Sequence, residues 1–316
     1  MFKRNNIMKN KLSLFPVSLL ILILQLQVTG QNKTDSVMIL NNGSYQVSSK
    51  NVDVVVNPAE GGRITSFKLG SYDFLIGKDL IPGAYGSTLW PGPQSDWNWP
   101  PPAVLDSKPY SAVDNGNSVI LTSGKDPVTG FQFSKELSAD KANSINLDYT
   151  IVNKTDETKK VSPWEISRIH KGGLLFFPMG KRAMGIKAFD PVNLDTIDGI
   201  AWYKDELKRP EKNKLSTADG SEGWTAYAIN GKLFIKKFKD ITPEMIAPGE
   251  GEVMVYVDSR ADFVEYEIEG AYETLRAGEG LNWNVKWIGV DIPANIKVEI
   301  GNKELVDFVR KIVNEN

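Results

Sequence analysis

Cysteine is absent from this chain, and histidine occurs once, at His170. The first absence removes thiol catalysis, thiolate metal centres and every disulfide. The second removes any site that needs two imidazoles. The sequence also lacks a Gly-x-Ser-x-Gly elbow, a Walker loop, a dinucleotide fingerprint and a calcium-loop pattern, so no cofactor and no metal are expected. Neither sign of charge is in excess: 37 Lys and Arg face 39 Asp and Glu, a formal charge of −2. That balance gives no general attraction to nucleic acid or acidic lipid. Beyond residue 30 no apolar run is long enough to span a bilayer.

What is present begins with a charged start. Lys3, Arg4, Lys9 and Lys11 precede and border an apolar run from Leu12 to Leu24, and the small-residue exit Val28-Thr29-Gly30 follows. This order predicts a secretory signal peptide over residues 1–30 and an exported protein, periplasmic or secreted, free of the membrane after cleavage near Gly30. An exported chain without disulfides has to rest on a buried core. Residues 31–50 read as a polar lead-in with a turn at Asn41-Asn42-Gly43. Residues 51–316 carry no linker, repeat or low-complexity tract, and read as a single domain.

Short β-type runs separated by turn residues dominate that domain. They are expected at 52–56, 63–69, 118–122, 145–152, 174–177, 252–257, 263–268 and 281–290. A hairpin over 227–238 turns at Asn230-Gly231, a pair suited to a type I′ turn. Many short strands at regular spacing predict an all-β sandwich or barrel. Leu305, Phe308, Val309 and Ile312 share one helical face and predict a short C-terminal helix, with Lys311 in its last turn. The polar stretch 205–223 reads as a loop.

Three clusters carry chemistry. Leu89 to Pro102 reads as a proline-stiffened loop holding Trp90, Trp97 and Trp99, with Gln94, Asp96 and Asn98 between them. Flat aromatic faces stack on sugar rings while amides and carboxylates take the hydroxyls, but the same tryptophans are also suited to plugging one end of a sandwich. In Phe263–Glu269 the alternation puts Glu265, Glu267 and Glu269 on one face and Val264, Tyr266 and Ile268 on the other. That face is either solvated or a polar concavity with a working carboxylate. In the strand from Ser162 to His170, Trp164, Ile166, Arg168 and His170 share a side and Glu165 points the other way.

Asn57-Pro58-Ala59-Glu60-Gly61-Gly62-Arg63-Ile64-Thr65-Ser66-Phe67, followed by Asp73-Phe74-Leu75, resembles the opening hairpin of galactose-mutarotase-like proteins. Glu265-Tyr266-Glu267-Ile268-Glu269-Gly270-Ala271-Tyr272, continuing to Ala277-Gly278-Glu279, resembles their closing strands. Trp90-Pro91-Gly92-Pro93, Ser162-Pro163-Trp164-Glu165 and Gly223-Trp224 resemble the DUF4380 family. The resemblance implies a galactose-mutarotase-like β-supersandwich with a sugar site in its concave face. It implies Glu267 as base, with Glu165 or His170 left as acid; the sugar contacts expected beside them are Arg63, Trp90, Trp97, Trp99, Asp96 and Arg168. The mutarotase Asn-His pair is replaced by Trp164-Glu165, and a second histidine does not exist. Three functions follow: an exported carbohydrate-binding protein, an aldose mutarotase or epimerase-like enzyme or other sugar-active enzyme with a carboxylate base, and a structural or assembly domain. The expected partner is a mono- or oligosaccharide.

Overall fold

The computed structural model describes residue 1 and residues 36–140, 143–184 and 189–316, with residues 181–184 followed as backbone only. The chain divides into two compact units, Met1–Asn32 and Lys33–Asn316, and everything below concerns the second. The expected signal peptide, apart from Met1, lies outside the described residues.

Alternating burial builds two large antiparallel sheets. In the first, Ser36–Ile39, Tyr45–Ser49, Val52–Asn57, Arg63–Leu69, Ser87–Gly92, Lys159–His170, Phe263–Glu269, Val253–Val257 and Lys214–Gly220 pair in that order. In the second the order is Ser111–Asp114, Ser118–Thr122, Phe131–Asp140, Ser144–Asn153, Gly280–Asp291, Lys232–Phe238, Trp224–Ile229. The long strand Leu174–Met184 joins them: its first part pairs with Trp224–Ile229 and its last part with Lys214–Gly220.

Apolar residues from the facing sides, among them Val54, Phe67, Tyr266, Phe133, Trp287 and Phe234, form the core between the layers. Burial of this surface, at about 25 cal/mol per Å², is what holds a chain without disulfides. The C-terminal helix Lys303–Glu315 places Leu305, Val306, Val309 and Val313 on the outer side of the second sheet, against Trp202, Trp224 and Ile235. Asn302 caps it, accepting from the Glu304 and Leu305 amides.

The all-β supersandwich with a short C-terminal helix is the observed architecture, and the expected strands fall within or close to the observed ones. Asn230 and Gly231, at φ 50 and 71, form the expected hairpin turn. Three expectations change. Residues 31–50 are more than a lead-in, because Ser36–Ile39 and Tyr45–Ser49 turn at Gly43 and extend the first sheet. The polar stretch 205–223 contains the strand Lys214–Gly220, whose Ser216, Thr217 and Asp219 are buried. Leu89 to Pro102 is not all loop: its first residues belong to the strand Ser87–Gly92, paired with Ser162–Ser167.

Candidate functional site

The site follows from strand register. Trp90 lies opposite Trp164, and Trp164 opposite Glu269. One pleat on, Thr88, Ile166, Glu267 and Met254 form a row; the next row is Arg168, Glu265, Tyr256 and Leu215. Side chains two apart share a face, so the first sheet turns these rows away from the core. The acidic face of Phe263–Glu269 is covered rather than solvated: Glu267 is 2% exposed and Glu269 1%. Tryptophans 90, 97 and 164 pack over it with Ile166 and Met254.

Between this face and the segment after Gly92 lies a cavity of about 660 Å³. Its walls include Trp90, Trp99, Trp164, Arg168, Glu265 and Glu267, together with Gln94, Asn98, Glu250, Tyr256, Asp258 and Arg260. Trp99 stands 67% exposed at its edge, meeting Trp90 at 5.8 Å in a T-shaped contact. The Trp164 indole N–H donates to Glu267 Oε2 at 2.7 Å. Arg168 Nε donates to Glu265 Oε1 at 2.8 Å and Nη1 to Thr88 Oγ1 at 3.2 Å, with its guanidinium 5.3 Å from the Trp90 ring centre.

Burial lifts the Glu267 carboxyl well above the ordinary carboxylate range, and the neighbouring Glu265 adds to the effect; the Trp164 hydrogen bond and Arg168 oppose it. Glu269 is also well above that range, through burial and then through Glu250, while its hydrogen bond from Ser162 opposes. Burial raises Glu265 as well, against the pull of Arg168. The cavity therefore sets a carboxyl that burial favours in its protonated form, Glu267, beside a second one bound by an arginine, Glu265. Among the described residues no group of three or more His, Asp or Glu is arranged to hold a metal ion.

The sequence-expected residues separate into two groups. Trp90, Trp99, Arg168 and Glu267 are together on the cavity wall. Glu165 is not with them. It faces the interior, where it accepts from Tyr149 Oη at 2.6 Å and Trp287 Nε1 at 3.0 Å and pairs with Lys236 Nζ at 2.8 Å. His170 is exposed at the strand end, its ring 6.5 Å from Tyr72, and is absent from the cavity wall.

Arg63 sits behind the site. It is 3% exposed, pairs with Asp106 at 3.1 Å and donates to the Tyr85 carbonyl at 2.9 Å. Asp106 in turn accepts from Trp90 Nε1 at 2.8 Å, so Arg63 positions Trp90 through Asp106. Burial lowers Arg63 to about 10. Trp97, its indole bonded to the Pro91 carbonyl at 2.6 Å, and Asp96 line a separate small cavity of about 150 Å³.

Sequence reasoning missed Glu250, Asp258 and Arg260. They come from turns flanking the strand Val253–Val257, and no short-range pattern points them towards Trp99. Tyr256 was accessible to it, since it alternates with Met254 on a recognised strand.

The family model described as "Domain of unknown function (DUF4380)" matches residues 78–290. The chain belongs to the DUF4380 family. The match spans every residue named above on the cavity wall. Among curated proteins none matches this DUF4380 chain.

Solved structures are similar in fold. A galactose mutarotase-like protein from Lactobacillus casei aligns with a TM-score of 0.59 at 10% identity, over 78% of this chain and 100% of that one. A galactose mutarotase related enzyme from Lactobacillus acidophilus gives 0.55 at 11%, over 81% and 100%. A TPR-domain containing protein from Parabacteroides distasonis gives 0.58 at 17%; 81% of this chain is covered, and it spans 49% of that longer protein. At these identities the likeness establishes the galactose mutarotase-like fold of this DUF4380 member.

Proposed function

We propose that the protein is an exported carbohydrate-binding protein whose sugar site is the cavity under Trp99. One observation carries this: exposed Trp99 shares a wall with Trp90, Trp164, Arg168, Glu265 and Glu267 in a single cavity of about 660 Å³. An aromatic face meets the C–H side of a pyranose, and the paired arginine, carboxylates and the amides of Gln94 and Asn98 suit its hydroxyls. The charged start, apolar run and small-residue exit at the N-terminus support export. Trp99→Ala is expected to weaken sugar binding by about 1–3 kcal/mol, the range for losing one stacked ring, while leaving the unfolding midpoint unchanged. Titration calorimetry against a panel of free aldoses and glycans checks this. Failure of every sugar to bind wild type at millimolar concentration overturns the proposal.

A second reading has its own support. Ring opening of an aldose needs an acid at one oxygen and a base at another, and Glu267, whose carboxyl burial raises, lies beside Glu265 in this cavity. Neither Glu165 nor His170 is available there. If the protein interconverts anomers, Glu267→Gln lowers the exchange rate by roughly 10²–10⁴-fold with binding retained, as for loss of one acid–base group. Exchange NMR showing no acceleration over buffer for any aldose leaves binding as the sole activity.

A further inference from the structure

A second cavity, of about 500 Å³, opens beside the first, and both share Phe189, Asn213 and Arg260 as wall. The two form one trough. From Trp99 it runs across the shared wall to Glu211, Lys212 and Ser259. Drug-sized ligands fill sites of about 300–1,000 Å³, and a single pyranose is smaller than those, so one ring leaves much of this trough empty.

Two aromatic side chains stand exposed along it, Trp99 at 67% and Phe189 at 38%. Each meets one aromatic neighbour in a T-shaped contact, Trp99 on Trp90 and Phe189 on Tyr256 at 6.2 Å. Large apolar surface left open on a concave wall marks a binding surface rather than packing. Separate stretches of chain carry the two rings, so a linear ligand can meet them in succession.

The shared wall is pre-formed. Asp258 accepts from the Arg260 and Ala261 amides at 2.6 and 3.1 Å and from Arg260 Nη2 at 2.9 Å. Arg209 clamps Asp262 through two bonds of 2.7 Å and donates to the Arg260 carbonyl at 2.9 Å. Asn213 Oδ1 accepts from Ser259 N and Oγ at 2.9 and 2.8 Å. With Arg260 Nε donating to Asp258 Oδ1 at 3.3 Å, these bonds engage Arg260 Nε and Nη2 and Asn213 Oδ1, and leave Arg260 Nη1 and Asn213 Nδ2 as donors without partners among the described residues. Binding to such a wall loses little entropy.

Charge narrows the ligand further. Arg260 is paired with Asp258 and Arg168 with Glu265, while Lys212 lines the second cavity together with Asp190 and Glu211. Among the described residues of the trough no unpaired cluster of cations stands ready for a uronate or sulfated sugar.

We propose that Phe189, Asn213 and Arg260 begin a second saccharide subsite, so that the ligand is an uncharged oligosaccharide of at least two rings. This rests on the carbohydrate reading of the first cavity. The experiment is calorimetry of the full chain with matched series of one to five rings: cello-, malto-, laminari-, xylo- and N-acetylated chito-oligosaccharides. In at least one series affinity rises about tenfold or more from one ring to three, as for one added stacking contact. Phe189→Ala and Lys212→Ala each reduce that oligomer-to-monomer ratio, whereas Trp99→Ala weakens monomer and oligomer together and preserves it. Affinity independent of ring number overturns the second subsite and leaves the sugar site standing. A ratio unaffected by both Phe189→Ala and Lys212→Ala, with thermal unfolding showing each variant folded, overturns it too. Failure of every series at every length overturns the sugar site itself.

Discussion

At the scale of the residue, Glu165 shows how position in a pleat overrides residue type. It directly follows Trp164, yet the strand turns it into the core, where Lys236 of the opposite sheet is its counter-ion. Lys236 also donates to the Tyr266 carbonyl at 2.8 Å, and burial lowers its pKa, with Glu165 opposing. Removing one partner of such a pair strands a buried charge at a cost of about 3–5 kcal/mol. Glu165→Gln is therefore expected to destabilise the protein by that order in urea unfolding. Adding Lys236→Met recovers most of the loss, because a glutamine still accepts from Trp287 and donates to Tyr149. The folded double variant binds sugar like wild type; a specific loss of binding there would return Glu165 to the site.

At the scale of the element, the turn between Val52–Asn57 and Arg63–Leu69 is tied to the site by long-range bonds. Gly61 and Gly62 have φ of 70 and 56, and Lys135 donates to both of their carbonyls at 2.9 and 3.0 Å. A Cβ on Gly61 would lie 2.0 Å from the Asp106 carbonyl oxygen, and Asp106 holds both Arg63 and Trp90. Gly231, at φ 71, has nothing within 4 Å of its Cβ position. Gly231→Ala is thus expected to cost about 1 kcal/mol from backbone conformation alone and to spare binding. Gly61→Ala costs more, since backbone must move, and it weakens sugar affinity by shifting Trp90. Chemical denaturation paired with calorimetry separates the two; equal effects of both substitutions would refute the coupling of turn to site.

At the scale of the whole molecule, buried ionisable groups shape stability against pH. Glu252, fully buried and bonded from the Ile241 and Gly220 amides, is raised by burial from 4.5 to about 8. Glu267 and Glu269 move in the same direction. In each, the native state keeps a proton that the unfolded chain releases, so stability falls as pH rises above the ordinary carboxylate range, for Glu252 from 4.5 through about 8. Lys135 works in the opposite sense: burial lowers it from 10.5 to about 7. Its native form releases a proton that the unfolded chain still holds, so stability is regained between about pH 7 and 10.5. Urea unfolding is expected to show a decline from about pH 5 to 8, on the order of a few kcal/mol, shallower in Glu252→Gln. A rise over that interval would contradict the raised carboxyls.

The sequence by itself determined the strand elements with clear alternation, the Asn230-Gly231 hairpin and the C-terminal helix, because periodicity and turn chemistry act over a few residues. It also determined which glutamates of Phe263–Glu269 share a face, and through motifs at 57–67, 90–93 and 265–272 it pointed to the family. Pairing was beyond its reach. Whether the glutamate face met water or tryptophan depended on register with Ser162–His170 and Ser87–Gly92, set by contacts far apart along the chain. The same contacts sent Glu165 to Lys236, Trp97 to a separate cavity and Arg63 behind Trp90, and brought Glu250, Asp258 and Arg260 to the site from turns without a local signature. A strand records which side chains agree in direction; only the packed layers decide what lies opposite them.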